Sequence, residues 1–125
     1  MKIIDVHNEL LVSSLAAGTY VASGDGVGID LQGYQGVLKI VLDSGAGGGT
    51  TPTLDVKIQD SADNSTFADV LGKVFTQVTG ASASIQSLAI DTRAVKRYIR
   101  AALTITGTGA TFGLAVVVAG QKQIM

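Results

Sequence analysis

The chain of 125 residues contains no cysteine and a single histidine, His7. Without cysteine it can form neither a disulfide nor a thiolate metal site, and it has no thiol nucleophile. The lone histidine lacks the neighbouring serine and carboxylate of a catalytic triad, and zinc sites normally need several histidine, cysteine or carboxylate ligands. The sequence also offers no pair of buried carboxylates for acid–base catalysis and no lysine-containing phosphate loop. The sequence therefore predicts no catalytic residues, no metal and no cofactor, and we expect the protein not to be an enzyme.

Net charge and long apolar runs are also scarce. The chain has nine basic and ten acidic residues, which gives a formal net charge of −1 at pH 7. Such a balance does not attract nucleic acid or an anionic membrane. The apolar run Leu114–Ala119 is far shorter than a membrane span. Near the N-terminus, Asp5, His7 and Glu9 interrupt the apolar core that a signal peptide requires. We expect synthesis in the cytoplasm, and no nucleic-acid or membrane partner.

Small β-forming side chains in alternation are what the sequence does contain. Within the stretch Thr53–Val70, Leu54, Val56 and Ile58 alternate with polar residues, which is the two-residue period of a half-buried strand. The polar run DSADNS at 60–65 holds side chains that hydrogen-bond to their own backbone and favour a chain reversal. We therefore expect two strands joined by a tight turn.

Short apolar segments separated by glycine-rich turns recur along the rest of the chain. The pattern predicts further strands at 19–23, 28–31, 37–43, 74–78, 84–90, 99–105 and 111–119. The last two flank Gly107-Thr108-Gly109, so we expect them to form an antiparallel hairpin. Helix is limited to a turn or two near 8–15, because no window has sustained helical periodicity. The predicted fold is all-β, a single antiparallel β-sandwich of jelly-roll type spanning 1–125, with little or no helix.

Two segments are expected to make contacts outside the domain. Residues 1–15 carry short apolar pieces on either side of His7, and we predict an N-terminal arm or an edge strand. Residues 44–52 are rich in glycine and include the only proline. Such a loop has few side chains to pack, so it is either mobile or held by a partner. Both segments are predicted to contact another subunit or a larger assembly.

Four of the nine basic residues fall between positions 93 and 100. Two interpretations remain open: local pairing with Asp91 and nearby acids, or a contact patch for an acidic neighbour. Without stacked aromatic residues the cluster is a weak signal for nucleic acid. The candidate interface residues from the two segments and this cluster are Lys2, Ile3, Ile4, Asp5, His7, Gly47, Gly48, Gly49, Arg93, Lys96, Arg97 and Arg100.

Asp60, Asp63, Asn64 and Asp69 place oxygen atoms near the turn at 60–65. Calcium prefers such ligands, but the spacing does not match an EF-hand and a turn of this composition needs no ion. We therefore predict no bound metal here.

Three stretches carry a resemblance to known proteins: LDVKIQDSADNSTFADV at 54–70, LAIDTR at 88–93 and KRYIR at 96–100, followed by the apolar C-terminal segment. In this order they resemble small structural proteins of tailed bacteriophages and prophages, including head decoration, or cement, proteins. The resemblance implies an oligomeric β-sandwich subunit of the virion, assembled in the host cytoplasm, whose partners are the major capsid protein and further copies of itself. A trimer would match the three-fold positions of many capsid lattices.

The same stretches also resemble a discoidin-type galactose-binding domain, although Phe67 stands where a tryptophan is usual and the bracketing cysteines are absent. This second resemblance implies a jelly-roll topology. It supports an alternative function as a carbohydrate-binding module. A subunit associated with the phage tail or neck shares the same sequence features and is a further alternative.

Overall fold

The computed structural model describes the backbone of residues 9–122 and, within it, the side chains of residues 12–120. In this range the chain forms antiparallel strands and one single-turn 3₁₀ helix, Thr92–Ala94, so the predicted all-β antiparallel fold with little helix is confirmed. The strands are β1 (Glu9–Tyr20), β2 (Gly24–Asp25), β3 (Ile29–Asp30), β4 (Tyr34–Ser44), β5 (Gly48–Ser61), β6 (Ala68–Val74), β7 (Val78–Thr79), β8 (Ser84–Asp91) and β9 (Tyr98–Lys122).

The strands form two packed layers that share β9. In the layer we call the front sheet, β1, residues 112–122 of β9, β4 and β8 lie side by side in that order. In the back sheet, residues 98–111 of β9 pair with β2 and β3 on one side and with β5 on the other, and β5 in turn pairs with β6 and β7. The two layers are therefore connected by one continuous strand.

The predicted hairpin at the end of the chain is wrong. Residues 98–122 form a single strand, and β5 remains the partner of β9 on both sides of the glycines, with Thr53 opposite Thr106 and Gly48 opposite Thr111. Gly107 and Gly109 have positive φ angles of 115° and 62°. These conformations, which favour glycine, interrupt the regular register so that β9 leaves the back sheet and enters the front sheet instead of reversing.

The core lies between the inner faces of the two sheets and follows the predicted alternation. Leu54, Val56 and Ile58 of β5 are each 1% exposed, as their two-residue period requires. The other large apolar side chains that are fully enclosed come from both layers: Leu38, Ile40, Leu42, Ile90, Ile99, Phe112, Val116 and Val118. Each is a branched aliphatic or aromatic residue, which suits close packing between pleated surfaces.

Three further local predictions fail. The predicted strand 19–23 is interrupted, because β1 ends at Tyr20 and β2 begins at Gly24. Residues 9–15 lie in β1, not in a helical turn. The predicted strand 74–78 is interrupted, because β6 ends at Val74 and β7 begins at Val78. Between them the chain turns Phe75 into the core, where its ring is 4% exposed and its N–H donates to the carbonyl oxygen of Val56 at 2.9 Å.

Buried Ser14 joins the layers at a bulge in β1. Its Oγ donates to the carbonyl oxygen of Val27 at 3.0 Å and accepts from the N–H of Ala101 at 2.9 Å, while its own carbonyl accepts from the N–H of Val27 at 2.8 Å. A Cβ on Gly26 would lie 2.4 Å from this Oγ. The hydroxyl thus satisfies two backbone groups of the back sheet from a strand of the front sheet.

Candidate binding groove

A groove of about 800 Å³ opens at the end of the molecule where β4 begins and β9 begins. Its apolar surface comes from Leu31, Val37, Val95 and the half-buried ring of Tyr34. Its polar surface comes from half-buried Thr92 and from five exposed side chains, Gln32, Gln35, Arg93, Lys96 and Arg97. Three of the four predicted basic residues are therefore gathered along one concavity.

Both arginines of the groove are paired with aspartates. Arg93 donates from Nε and Nη2 to the two carboxylate oxygens of Asp91, at 3.3 and 3.0 Å, and Arg97 makes the same fork with Asp30 at 2.9 and 2.8 Å. The guanidinium of Arg97 and the N–H of Gln32 lower the pKa of Asp30 to about 2. Arg93 lowers the pKa of Asp91 through side-chain and backbone hydrogen bonds. Local pairing, one of the two interpretations of the cluster, thus holds for these residues.

Lys96 differs from the two arginines. Its backbone N–H donates to Asp60 at 3.0 Å, but its side chain is exposed and forms no ion pair with any acid in the described part of the chain. The ammonium group therefore stands at the groove without a neutralising neighbour among those residues.

The fourth basic residue, Arg100, lies outside the groove on the outer surface of the back sheet. Its Nε donates to Gln59 at 2.9 Å, its Nη2 lies 3.4 Å from a carboxylate oxygen of Asp25, and its guanidinium sits 4.0 Å from the centroid of the Phe67 ring. These contacts bind Arg100 to its own sheet. The sequence cluster therefore splits into a groove set, Arg93, Lys96 and Arg97, and one structural arginine.

Chemically, the groove can bind an extended segment that carries carboxylates and apolar side chains. Exposed ion pairs contribute only about 0–1 kcal/mol, so a ligand carboxylate can compete for Arg93, whose side chain is 88% exposed. Each guanidinium has five N–H donors, and the fork to aspartate uses two of them. The amides of Gln32 and Gln35 add donors and acceptors beside the apolar surface.

The glycine-rich segment is part of the fold. Only 45–47 connect two strands, because β5 already begins at Gly48, so the prediction of a loop over 44–52 is wrong for most of its length. The N–H groups of Gly45 and Gly47 donate to the carbonyl oxygens of Gly113 and Thr79 at 2.9 and 3.0 Å.

The tight packing of this segment explains its glycines. A Cβ on Gly47 would lie 2.5 Å from the Phe112 ring, one on Gly48 would lie 2.7 Å from Thr111, and one on Gly49 would lie 2.5 Å from the carbonyl oxygen of Gly109. Their role as an external interface stays a prediction. The other predicted interface residues, Lys2, Ile3, Ile4, Asp5 and His7, lie outside the described residues.

The carboxylates near the 60–65 turn are directed to different partners. Asp63 accepts from the N–H groups of Ser65 and Thr66 and from the hydroxyl of Ser61, and these hydrogen bonds lower its pKa to about 2. Asp69 binds Lys57 and Gln59. No group of three or more potential metal ligands converges within the described range. These aspartates therefore stabilise the predicted turn and the adjacent strands.

Sequence reasoning missed the residues that complete the groove, Gln32, Tyr34, Gln35 and Val95. They lie in two segments about 60 positions apart, and only the pairing of β3 with β9 and of β4 with β8 brings those segments together. The sequence did contain one signal, because Tyr34 is one of few aromatic residues in the chain and lies between Gln32 and Gln35.

No family model matches the sequence, and no curated protein matches it. Similar solved structures include the SPBc2 prophage-derived protein YomS, at 9% identity and a TM-score of 0.48 over 94% of this chain and 99% of that one. A protein of Bacillus endospore appendages, described as disulfide-linked pili, has 11% identity and a TM-score of 0.49 over 99% and 98%.

A third similar structure is the D431N mutant VP2 protein of infectious bursal disease virus, from derived T=1 particles, at 13% identity and a TM-score of 0.48. The match covers 90% of this chain and 31% of VP2. TM-scores below 0.5 at such identities do not establish a shared family. Separately, no helix in the described part of the chain is long and apolar enough to cross a membrane.

Proposed function

We propose that this chain is a non-enzymatic structural protein of a phage virion, a decoration subunit that binds the major capsid protein of the assembled head. The observation that carries the proposal is the groove: Arg93, Lys96 and Arg97 line an open concavity beside an apolar surface, which suits an acidic, partly apolar segment of a neighbouring protein. The resemblance of 54–70, 88–93 and 96–100 to phage head decoration proteins supplies the class of partner.

The mechanism is mass action. A subunit that binds the assembled head and not its separated parts stabilises that head by its free energy of binding, multiplied over many copies. No chemical step is required, and the polar groups buried in the described residues, Ser14, Ser44 and Ser61, are hydroxyls held in hydrogen bonds. Residues 1–8 are proposed to add contacts to the head, in which case their deletion lowers occupancy.

The test is co-sedimentation of the purified chain with empty, undecorated heads assembled from the major capsid protein of the same phage. We expect saturable binding at a fixed ratio to the capsid protein, weakened by salt because charged groups contribute. Lys96→Glu should weaken binding by about tenfold or more. Lys73→Glu makes the same charge change away from the groove, where Lys73 contacts the carbonyl oxygen of Ala89, and should leave binding intact.

Absence of binding by the folded wild-type chain would refute the decoration role. Equal loss of head binding in both lysine variants would instead refute the groove as the contact.

The alternative, a carbohydrate-binding module, has one supporting feature. Tyr34 lies beside Gln32 and Gln35 in the groove, and such groups can stack on and hydrogen-bond to a sugar. Binding to an immobilised glycan, without affinity for heads, would favour that alternative.

A further inference from the structure

The outer surface of the front sheet, which we call the front face, is apolar where a solvated sheet would be polar. On the two central strands, Val41 alternates with buried residues of β4, and Ala115, Val117 and Ala119 alternate with buried residues of β9. Antiparallel sheets that face water on one side normally alternate apolar inward and polar outward residues. Here both faces of residues 114–119 are apolar.

Few charged side chains lie on the described part of the front face. Its edge strand β8 contributes Ile85, Ser87 and Ala89, of which Ile85 is 76% exposed. Asp91 continues the alternation of β8 and is paired with Arg93. Lys39 and Asp43 on β4 are both exposed, and neither forms an ion pair with another described side chain. Four residues of extended strand separate them by about 13 Å, too far for a direct pair.

The register arranges these residues in three rows across the sheet. The middle row is Ser87, Val41 and Val117. One outer row is Ala89, Lys39 and Ala119, and the other is Ile85, Asp43 and Ala115. The two outer rows are complementary in charge and in size, because lysine corresponds to aspartate and the small Ala89 corresponds to the large Ile85.

We propose that the front face is a self-association surface whose occupant is the front face of a second copy of this chain. A two-fold axis lying along the middle row stacks Val41 and Val117 on their own copies. It also places the row of Lys39 over the row of the partner's Asp43, twice, with each Ile85 over an Ala89. In a two-fold interface the same patch serves both subunits, so it must be self-complementary, and these rows meet that requirement.

The small outward side chains allow the sheets to approach to the roughly 10 Å spacing of packed sheets.

The size of the front face sets the expected affinity of the dimer. Eight paired positions of β4 and β8 and four strands give about 24 Å by 19 Å, or roughly 900 Å² for both subunits. This lies below the standard interface range of about 1,200–2,000 Å². We therefore expect a weak dimer, with a dissociation constant roughly between micromolar and millimolar, which high local concentration would favour.

The experiment is sedimentation velocity of the full chain from about 10 µM to 1 mM, a range that populates weak dimers. We expect the sedimentation coefficient to rise with concentration. Val117→Lys should raise the dissociation constant by about tenfold or more, because it buries a charge facing its own copy. Thr104→Lys is the matched control, since Thr104 lies on the same strand but on the exposed outer surface of the back sheet, and it should dimerise as the wild type does.

A charge exchange tests the two-fold arrangement itself. Lys39→Asp and Asp43→Lys should each abolish self-association, because each places like charges opposite one another. An equimolar mixture of the two variants should form a heterodimer, since both cross-subunit contacts then join a lysine to an aspartate. Recovery in the mixture also shows that the single variants are folded.

A wild-type chain that stays monomeric at 1 mM would overturn the proposal. Dimerisation that Val117→Lys and Thr104→Lys leave equally intact would do the same, as would single charge variants that fail to recover in the mixture. Because the groove lies at the end of the molecule, beyond the three rows of the proposed contact, head binding can fail while dimerisation persists, and the reverse.

Discussion

The outer surfaces of the two sheets are built on the same strand β9 but have opposite chemistry. On the back sheet, Lys57 and Gln59 both bind Asp69, and Asp55 binds Gln77. Arg100 extends this network to Gln59 and Asp25. The front face has no comparable network among its described side chains, and valine and alanine fill its centre.

This difference teaches that folding and recognition make separate demands on a sandwich. The inner faces supply the buried apolar area that stabilises both sheets, so the outer faces are free to differ. The back face satisfies its polar groups internally and is suited to solvent. The front face leaves apolar area exposed without a folding benefit, which is the usual property of a contact surface.

The largest effect on stability is expected where β9 passes from one sheet to the other, because both outer surfaces depend on this crossing. Gly107→Ala should destabilise the fold by about 3 kcal/mol, because its φ is 115° and the new Cβ would lie 2.8 Å from the carbonyl oxygens of Thr50 and Thr51. Urea unfolding measures the loss. Gly109→Ala, at φ 62° with open space around it, should cost only about 1 kcal/mol. Equal costs would show that the crossing does not depend on close approach at Gly107.

A second substitution removes a contact between the two layers and leaves both outer faces unchanged. Ser14→Ala should destabilise the protein by about 2 kcal/mol, because it removes the partner of the buried Ala101 N–H and leaves that donor unsatisfied. Thermal unfolding checks this. Ser13→Ala, at the exposed neighbouring position, is the control and should change the melting temperature little; a comparable shift there would argue against the bridge.

A smaller effect sharpens the contrast between the faces directly. Arg100→Ala should lower the free energy of unfolding by about 1 kcal/mol, since it removes a hydrogen bond and the contact with the Phe67 ring. Lys39→Ala on the front face should cost almost nothing in dilute, monomeric protein. Chemical unfolding of both variants at low micromolar concentration makes the comparison, and a larger loss for Lys39→Ala would reverse it.

The smallest predicted effect is a dependence of the stability of the fold on acidic pH. Binding to Arg97 and Gln32 lowers the pKa of Asp30 to about 2 from a usual 3.8. A lowered carboxyl pKa stabilises the fold above about pH 4, and this contribution disappears as the pH falls toward 2. Asp30→Asn should therefore be less stable than the wild type at pH 7, with the difference closing between pH 4 and 2. Asp43→Asn, which loses no described ion pair, is the control for melts of dilute protein across this range.

Much of this architecture could be predicted from local patterns. The alternation at 54–58 and 38–42 depends only on the geometry of a strand beside an apolar core, and the turn at 60–65 depends on side chains that bond to their own backbone. The hairpin at 107–109 failed because glycine permits several conformations, and the choice between reversal and continuation depends on β5, which stays paired across it. For the same reason, the glycines at 45–49 resembled a free loop until their close contacts with Phe112 and Gly109 were known.

The sequence by itself determined the all-β class, the inward residues of the main strands and the absence of thiol chemistry, because these follow from residue type and from a period of two. Only the tertiary structure decided that Arg93, Lys96 and Arg97 line a groove while Arg100 stabilises the back sheet. It also decided that Val41 and Val117 share a row. The groove and the middle row of the front face each contain residues that are far apart in the chain. Strand register brings these residues together, and that register is set by the whole fold.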